Sequence, residues 1–402
     1  MSKTKISGFF AASFLLLLFS NFKHTPDIHV EPGSVRADAA KAILASLPDA
    51  NASSAVAYKD KIVTDFFRRT TGLVAGDGAY SVPLSDGRTL WNFGDAHANA
   101  YKNGTVPCLF NVRSIAMVQP ANNWNWKQTA TLLSPSNSTL YKSHSGQGYF
   151  NWPVTGVQLG DTVYTFTLNL RHKSGGWENA GPPQWAKIKF PEMNNSVTYQ
   201  ALQDFGDIQF GDGLVKENDG YVYMYGKRSV PPIGIAHDLF VARFPQSNPN
   251  GPWTFWNGSA WVSDVKQAAV IGQVPTFSLH VSKVKNKYLL VSTQFNMGCD
   301  PNNKTNPPRD IYAATSNSIT GPFSENKLIY RIDDELNGYY PFFYCGIAHP
   351  QFINDNRELL ITYSINGYQD CVQTCINGRM DPDLTYRPRG VRVPLKLLDP
   401  EL

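Results

Sequence analysis

Apolar and polar positions alternate with a period of two along most of this chain, and the alternating runs come in pairs joined by a short polar turn. Five pairs stand out: GAYSVPLSDGRTLWNFGD from Gly78, PVTGVQLGDTVYTFTLNL from Pro153, IQFGDGLVKENDGYVYMYG from Ile208, FSLHVSKVKNKYLLVSTQF from Phe277 and GIAHPQFINDNRELLITYS from Gly346. Each reads as a β-hairpin, because Asp-Gly, Gly-Asp, Lys-Asn or Asn-Asp at its centre supplies the backbone freedom of a tight turn. Their starts recur every ~55 to 75 residues, the spacing of four-stranded sheets repeated around an axis. The pattern predicts an all-β fold, a five-bladed β-propeller over residues 59–395, with blades near 72–125, 126–195, 196–250, 251–320 and 321–395. A propeller gathers equivalent points of every blade at one end of a central channel, so residues remote in sequence can share a pocket.

The first residues follow another pattern. Lys3 and Lys5 precede an apolar run from Phe9 to Phe19, the length of a signal-peptide core rather than of a membrane span. Residues 1–22 are expected to be a signal peptide, with an uncleaved anchor as the alternative, and the protein to be secreted or periplasmic. Residues 23–58 read as a linker carrying one short helix, Ser34 to Leu47.

Composition narrows the partners. The formal charge is +4, part of it from lysines of the leader, so a nucleic-acid partner is not expected. Aromatic residues make up 13% of a chain rich in Asn and Gly, which suits a carbohydrate partner, since sugar rings stack on aromatic faces and hydrogen-bond to amides. A monomer without a stable membrane partner is expected. No Cys/His spacing resembles a metal site and no phosphate-binding loop is present, so no metal or cofactor is implied. Five cysteines fit an exported chain with one or two disulfides, for which Cys371–Cys375 and Cys299–Cys345 are the expected pairings.

Candidate chemistry sits in the first hairpin. Reflected about its Asp86-Gly87 turn, Asp77 falls opposite Asp95, and like charges facing each other across a strand pair cost stability. A shared proton, a bound cation or catalysis would account for the arrangement. Glycoside hydrolysis uses such a pair, one carboxyl as proton donor and the other as nucleophile or base. Each Asp also follows a glycine, where Asp is a good turn residue. The same reflection places Trp152, Arg171, Lys227, Arg228, Gln294, Tyr344 and His349 towards one rim, with Asp207 as a third carboxylate. Trp152, Arg171, Arg228, Gln294 and His349 are the expected substrate-binding residues, although His349 at a strand start also reads as a core histidine.

At these residues the chain resembles a known superfamily. GDGAYSVPLSDGRTLWNFGDAHAN, DGYVYMYG, LFVARFP followed by GPWTFWNGSAWVSD, SITGPFSENKLIY, and AHPQF before ELLITYSING look like successive blades of the five-bladed propellers related to arabinanases, β-xylosidases and levansucrases. The resemblance covers about residues 72–370 and is nearest to an exported branch similar to bacterial endo-arabinanases. It implies a glycoside hydrolase fold in which Asp77 stands where the superfamily places its nucleophile or base; the expected activity is cleavage of a furanose-containing glycan with Asp95 as the acid or its pKa partner. Neither an Arg-Asp-Pro in blade two nor a Glu-Cys in blade three is present, so the proton donor is not carried over. A glycan-binding, lectin-like propeller is the alternative.

Overall fold

The computed structural model describes residues 57–134, 138–143, 148–174, 176–231, 236–276, 278–294, 309–336, 340–369 and 372–402. The expected signal peptide and linker helix, with Cys299 and Cys371, lie outside these residues.

Among the described residues the chain is all-β with few and short helices, and its hairpins extend into five antiparallel units. The first consists of Tyr80–Pro83, Thr89–Phe93, Ile115–Gln119 and Ala130–Leu132. The second runs through Tyr149–Leu159, Thr162–Lys173, Gln184–Lys189 and Val197–Ala201. The third is built on Gln209–Lys216, Tyr221–Ser229, His237–Pro245 and Thr254–Trp256. The fourth contains Ser278–Val284, Lys287–Thr293, Asp310–Ser316 and Lys327–Arg331. In the fifth, Phe342–His349, Glu358–Asn366 and Arg389–Pro394 are completed by Tyr58–Asp60 from the other end of the chain. The outermost strands of the first four units fall beyond the limits expected from the sequence. In the first two units they are short edge strands whose partly exposed residues carry little apolar periodicity.

The second strand of the first unit shows how the units hold together. Leu90, Trp91 and Phe93 are all fully buried, and alternate residues feed opposite faces. Trp91 and Phe93 pack with Phe66, Phe67 and Leu360, forming the seam to the fifth unit. Leu90 packs with Val163, Ala186 and Ile188 of the second unit. Equivalent apolar seams join second to third, third to fourth and fourth to fifth units. A strand buried on both faces needs apolar residues at most positions, which Leu90, Trp91 and Phe93 supply, while the buried Asn92 accepts from the Tyr141 hydroxyl at 2.6 Å.

The first strands of the units approach one another at glycines, and in the third and fourth units Gln209–Lys216 and Ser278–Val284 pair in parallel at Gly213↔Val281, which joins the two units into one ten-stranded sheet. A Cβ on Gly213 would come 2.1 Å from the Val281 carbonyl oxygen, and one on Gly346 would come 1.9 Å from Thr293 Oγ1. Both glycines belong to register shifts, between Phe210 and Leu214 in the third unit and between Tyr344 and Ile347 in the fifth. Such β-bulges turn the side chains beside them off the regular alternation.

Two ties join the ends of the chain. Asp60 caps the helix Lys61–Phe66 by accepting from Val63 N at 3.1 Å, and also accepts from Arg392 Nε at 2.7 Å. The second tie corrects the expected disulfides. Cys108 is bonded to Cys375, and Cys345 is a free thiol. The loop after Ala98 and the segment after Asn366 meet in space, and Val106–Pro107 pairs with Arg379–Met380 beside the bridge. Sequence spacing favoured the near neighbour Cys371, whereas the fold brings together cysteines 267 positions apart.

Candidate active site

Beyond Tyr80 and Asn92 the first hairpin leaves its regular ladder and then resumes pairing between Leu73–Gly76 and Ala96–Ala98. Asp77 and Asp95 occupy the interruption. Gly94 N donates to the Asp77 carbonyl at 3.0 Å, and Asp77 N donates to the Asp95 carbonyl at 3.3 Å, so the two residues face each other across the hairpin. Gly78, at φ 98°, makes the turn out of the pair and donates its N–H to Ser364 Oγ at 3.1 Å. Gly94 leaves room for the carboxyl, because a Cβ there would sit 2.7 Å from Asp77 Oδ1 and 3.6 Å from Trp152 Cδ1.

The environments of the two carboxyls differ. Asp95 is 5% exposed, and its oxygens accept from Arg113 Nη1 at 3.3 and 3.1 Å and from Trp152 Nε1 at 3.1 Å. Burial raises its pKa, and Arg113 and Trp152 pull it back. Asp77 accepts at Oδ2 from the Tyr344 hydroxyl at 2.9 Å. Burial and then the charge of Asp95 push its pKa well above the ordinary carboxylate range, with the Tyr344 hydrogen bond opposing. Two acids facing each other in a largely water-excluded site hold one proton between them more readily than two negative charges, and the cation lies on Asp95.

The bulges bring further groups towards Asp77. Asp212, between Gly211 and Gly213, accepts from Lys227 Nζ at 2.7 Å and is raised in pKa by burial against the pull of that lysine. Its second oxygen is buried without a hydrogen-bond partner. Cys345, at φ 52°, shares a hydrogen bond with Tyr80, and both residues feel the charges of Asp77 and Asp212. Burial, with Asp77 adding to it, pushes the Cys345 thiol up to about 12, so the thiol is neutral at physiological pH.

Of the residues named from sequence, Asp77, Asp95 and Trp152 are brought together. Asp207 is not: its carboxylate is 61% exposed and faces Arg228 at 3.6 Å. Arg228 is also 3.4 Å from Asp238 and lies over the Phe240 ring. Arg171 pairs with Glu178 at 2.7 Å on an exposed strand end. Gln294 Oε1 accepts from the backbone of Arg309 and Asp310 at 3.1 Å, an internal structural role. His349, expected on the rim, is fully buried against Trp91, with Nδ1 2.6 Å from Ser81 Oγ and Nε2 2.8 Å from Thr362 Oγ1. Its placement at the seam of first and fifth units makes it a core histidine, and burial holds its pKa well below the usual value.

Sequence reasoning missed Arg113 and Asp212. Arg113 follows a loop and carries no local signal of its partner, 18 positions earlier. For Asp212 a signal existed, because Gly-Asp-Gly inside a strand marks a bulge.

The chain belongs to the family described as Domain of unknown function (DUF5005), which matches residues 60–395. Comparison with curated proteins gave no match. Among solved structures it is similar to a candidate hydrolase from Bacteroides ovatus, with 18% identity and a TM-score of 0.65 over 84% of this chain and 90% of that one. Lower similarity links it to a levansucrase variant from Bacillus subtilis, at 14% identity and TM-score 0.46 over 82% and 87% of the two chains. An α-L-arabinofuranosidase from Lactobacillus brevis matches at 12% identity and TM-score 0.44, over 84% and 92%. The first of these is a likeness of fold.

Proposed function

We propose that the five units are the blades of a five-bladed β-propeller and that the protein is an exported glycoside hydrolase whose reacting group is the carboxyl pair Asp77 and Asp95. The observation that carries this reading is the pair itself: two acids opposed across a hairpin, Asp95 buried and paired with Arg113, and half-buried Asp77 with no cation bonded to it among the described residues. An acid kept protonated beside a fixed anion is the combination that glycosidic cleavage uses. Asp77 gives its proton to the glycosidic oxygen as the bond to the sugar carbon breaks. Asp95 raises the proton affinity of Asp77 and offsets positive charge developing on the ring, after which water adds to the sugar carbon and gives its proton to Asp77, restoring the starting state. Trp152, fixed by its bond to Asp95, offers an apolar surface beside the reacting carboxyl.

Asp207 belongs in this proposal to substrate binding rather than to the chemistry. With Asp204, Asn169, Gln209, Phe166 and Phe205 it lines a groove between second and third units, where polar and aromatic groups suit a glycan chain. The sequence resemblance favours a furanose-containing, arabinan-like glycan, and the apolar run behind Lys3 and Lys5 supports export. No helix among the described residues is long and apolar enough to cross a membrane.

The test is to incubate purified protein with a panel of plant and microbial polysaccharides and measure new reducing ends. Release from at least one furanose-containing glycan, abolished in Asp77→Asn, is expected. Binding of a glycan without cleavage would replace this reading with the lectin-like one.

A further inference from the structure

The Arg113 guanidinium is held from four directions. Its centre lies 4.5 Å from the Phe110 ring centroid and 4.3 Å from that of Phe150. Nη1 reaches both oxygens of Asp95, and Nη2 is 2.6 Å from His172 Nε2. Phe110 comes from the loop that also carries Arg113, whereas Phe150 and His172 come from the first two strands of the second unit. A guanidinium held against two rings and hydrogen-bonded to a carboxylate and an imidazole loses little further freedom by staying, so its charge is fixed on Asp95.

The groups that face the carboxyl pair are few. Arg113 and Trp152 face Asp95; Tyr344 and Asp95 face Asp77, with Cys345, Asp212 and Lys227 beyond. Among the described residues no cation is bonded to Asp77. We infer that Arg113 is a positioning residue of the pair: clamped between Phe110 and Phe150, it keeps Asp95 as the permanent anion and thereby assigns the shared proton to Asp77. This rests on the reading of the pair as the reacting group, but it concerns where a proton sits, which can be measured without substrate.

Arg113 acts through Asp95. Without it Asp95 keeps only the Trp152 hydrogen bond against the full cost of burying its charge. The proton then moves from Asp77 to Asp95, and the carboxyl that should donate becomes the anion.

Infrared spectroscopy of the full chain at neutral pH, reading the protonated-carboxyl band, tests this directly. The wild-type band should disappear in Asp77→Asn. In the double variant Arg113→Met/Asp77→Asn a band should persist, because Asp95 now holds the proton, and Arg113→Lys/Asp77→Asn, which restores the charge, should again lack it. A band lost equally from the Met and Lys double variants would overturn the inference. If Arg113→Met does not fold, judged by near-ultraviolet circular dichroism, Phe150→Leu serves instead. Removing one of the two rings beside the guanidinium loosens this cation, which lowers the proton affinity of both carboxyls, so the pH at which the carboxyl band is lost should rise, and an unmoved midpoint would overturn the inference equally. Hydrolysis is not read here: the expected bands without cleavage of any glycan would end the enzyme reading and leave the role of Arg113 standing.

Discussion

The Tyr344 hydroxyl donates to Asp77 Oδ2 at 2.9 Å, although the two residues are 267 positions apart. The bond crosses the junction between first and fifth units, so the state of the carboxyl pair depends on closure of the whole assembly. A donor to the charged form lowers proton affinity. Tyr344→Phe should therefore raise the pKa of Asp77 further and cost about 1–2 kcal/mol of stability, because Asp77 loses its hydroxyl partner. Carboxyl titration by infrared spectroscopy, with thermal melting alongside, checks both, and an unshifted titration would show that the bond does not tune Asp77.

A second prediction concerns the seam between third and fourth units. Gly213, at φ 148°, lies where a Cβ would meet the backbone of Val281 at 2.1 Å, and backbone cannot move aside as a flexible side chain can. Gly213→Ala should cost more than about 3 kcal/mol, the range of backbone strain added to steric overlap. Gly206 is the control. Its φ is 64° with nothing within 4 Å of an added Cβ, so Gly206→Ala should cost only about 1 kcal/mol for the left-handed backbone. Urea unfolding of both variants compares them, and similar midpoints would refute the close-approach argument.

How much of this was readable in advance depended on whether the local period of two persisted. Asp77 and Asp95 were placed opposite one another by reflection about Asp86-Gly87, and the ladder keeps that register from Tyr80↔Asn92 to Gly76↔Ala96. Asp212 escaped the same reasoning because the shift between Phe210 and Leu214 breaks the mirror. His349 was carried towards the rim but also read as a core histidine, and the core reading holds, because it ends the strand Phe342–His349 at a seam between units where its side chain is fully buried. Arg113 and the Cys108–Cys375 bridge were beyond reach for another reason: their partners are set by how distant loops meet, which no local period encodes.

That bridge gives the third prediction. It ties a loop of the first unit to the segment between the strands Glu358–Asn366 and Arg389–Pro394 of the fifth, beside the cluster of Val74, Ala75, Val106, Met380 and Tyr386. Closing so long a stretch of chain restricts the unfolded state, so Cys108→Ser should cost about 2–5 kcal/mol. Gly76 N donates to the Tyr386 carbonyl at 2.8 Å, immediately before Asp77, so loosening this segment should also lower activity. Melting of wild type and Cys108→Ser, with and without reductant, separates the effects. A reductant-sensitive variant would point to a different bridge.

The fourth prediction uses the sign of the pKa shifts. Asp77 and Asp95 both bind protons more tightly in the folded chain than in the unfolded one, where carboxyls titrate near ~4. Their contribution to stability is therefore complete below the unfolded value and is lost as pH rises through the raised folded values. Asn at position 77 keeps the shape, removes the titration and relieves the repulsion on Asp95. Asp77→Asn should then equal or exceed wild type in stability, with the difference growing from pH 5 towards pH 9 to about 1–3 kcal/mol. Turnover should fall at least about a hundredfold at every pH, since a positioned proton donor contributes that much or more. Thermal melts across this range, paired with reducing-end assays on the best glycan, test the two halves separately. A stability difference that stays flat from pH 5 to pH 9 would mean that Asp77 is already ionised in the folded protein, and it could not then be the donor.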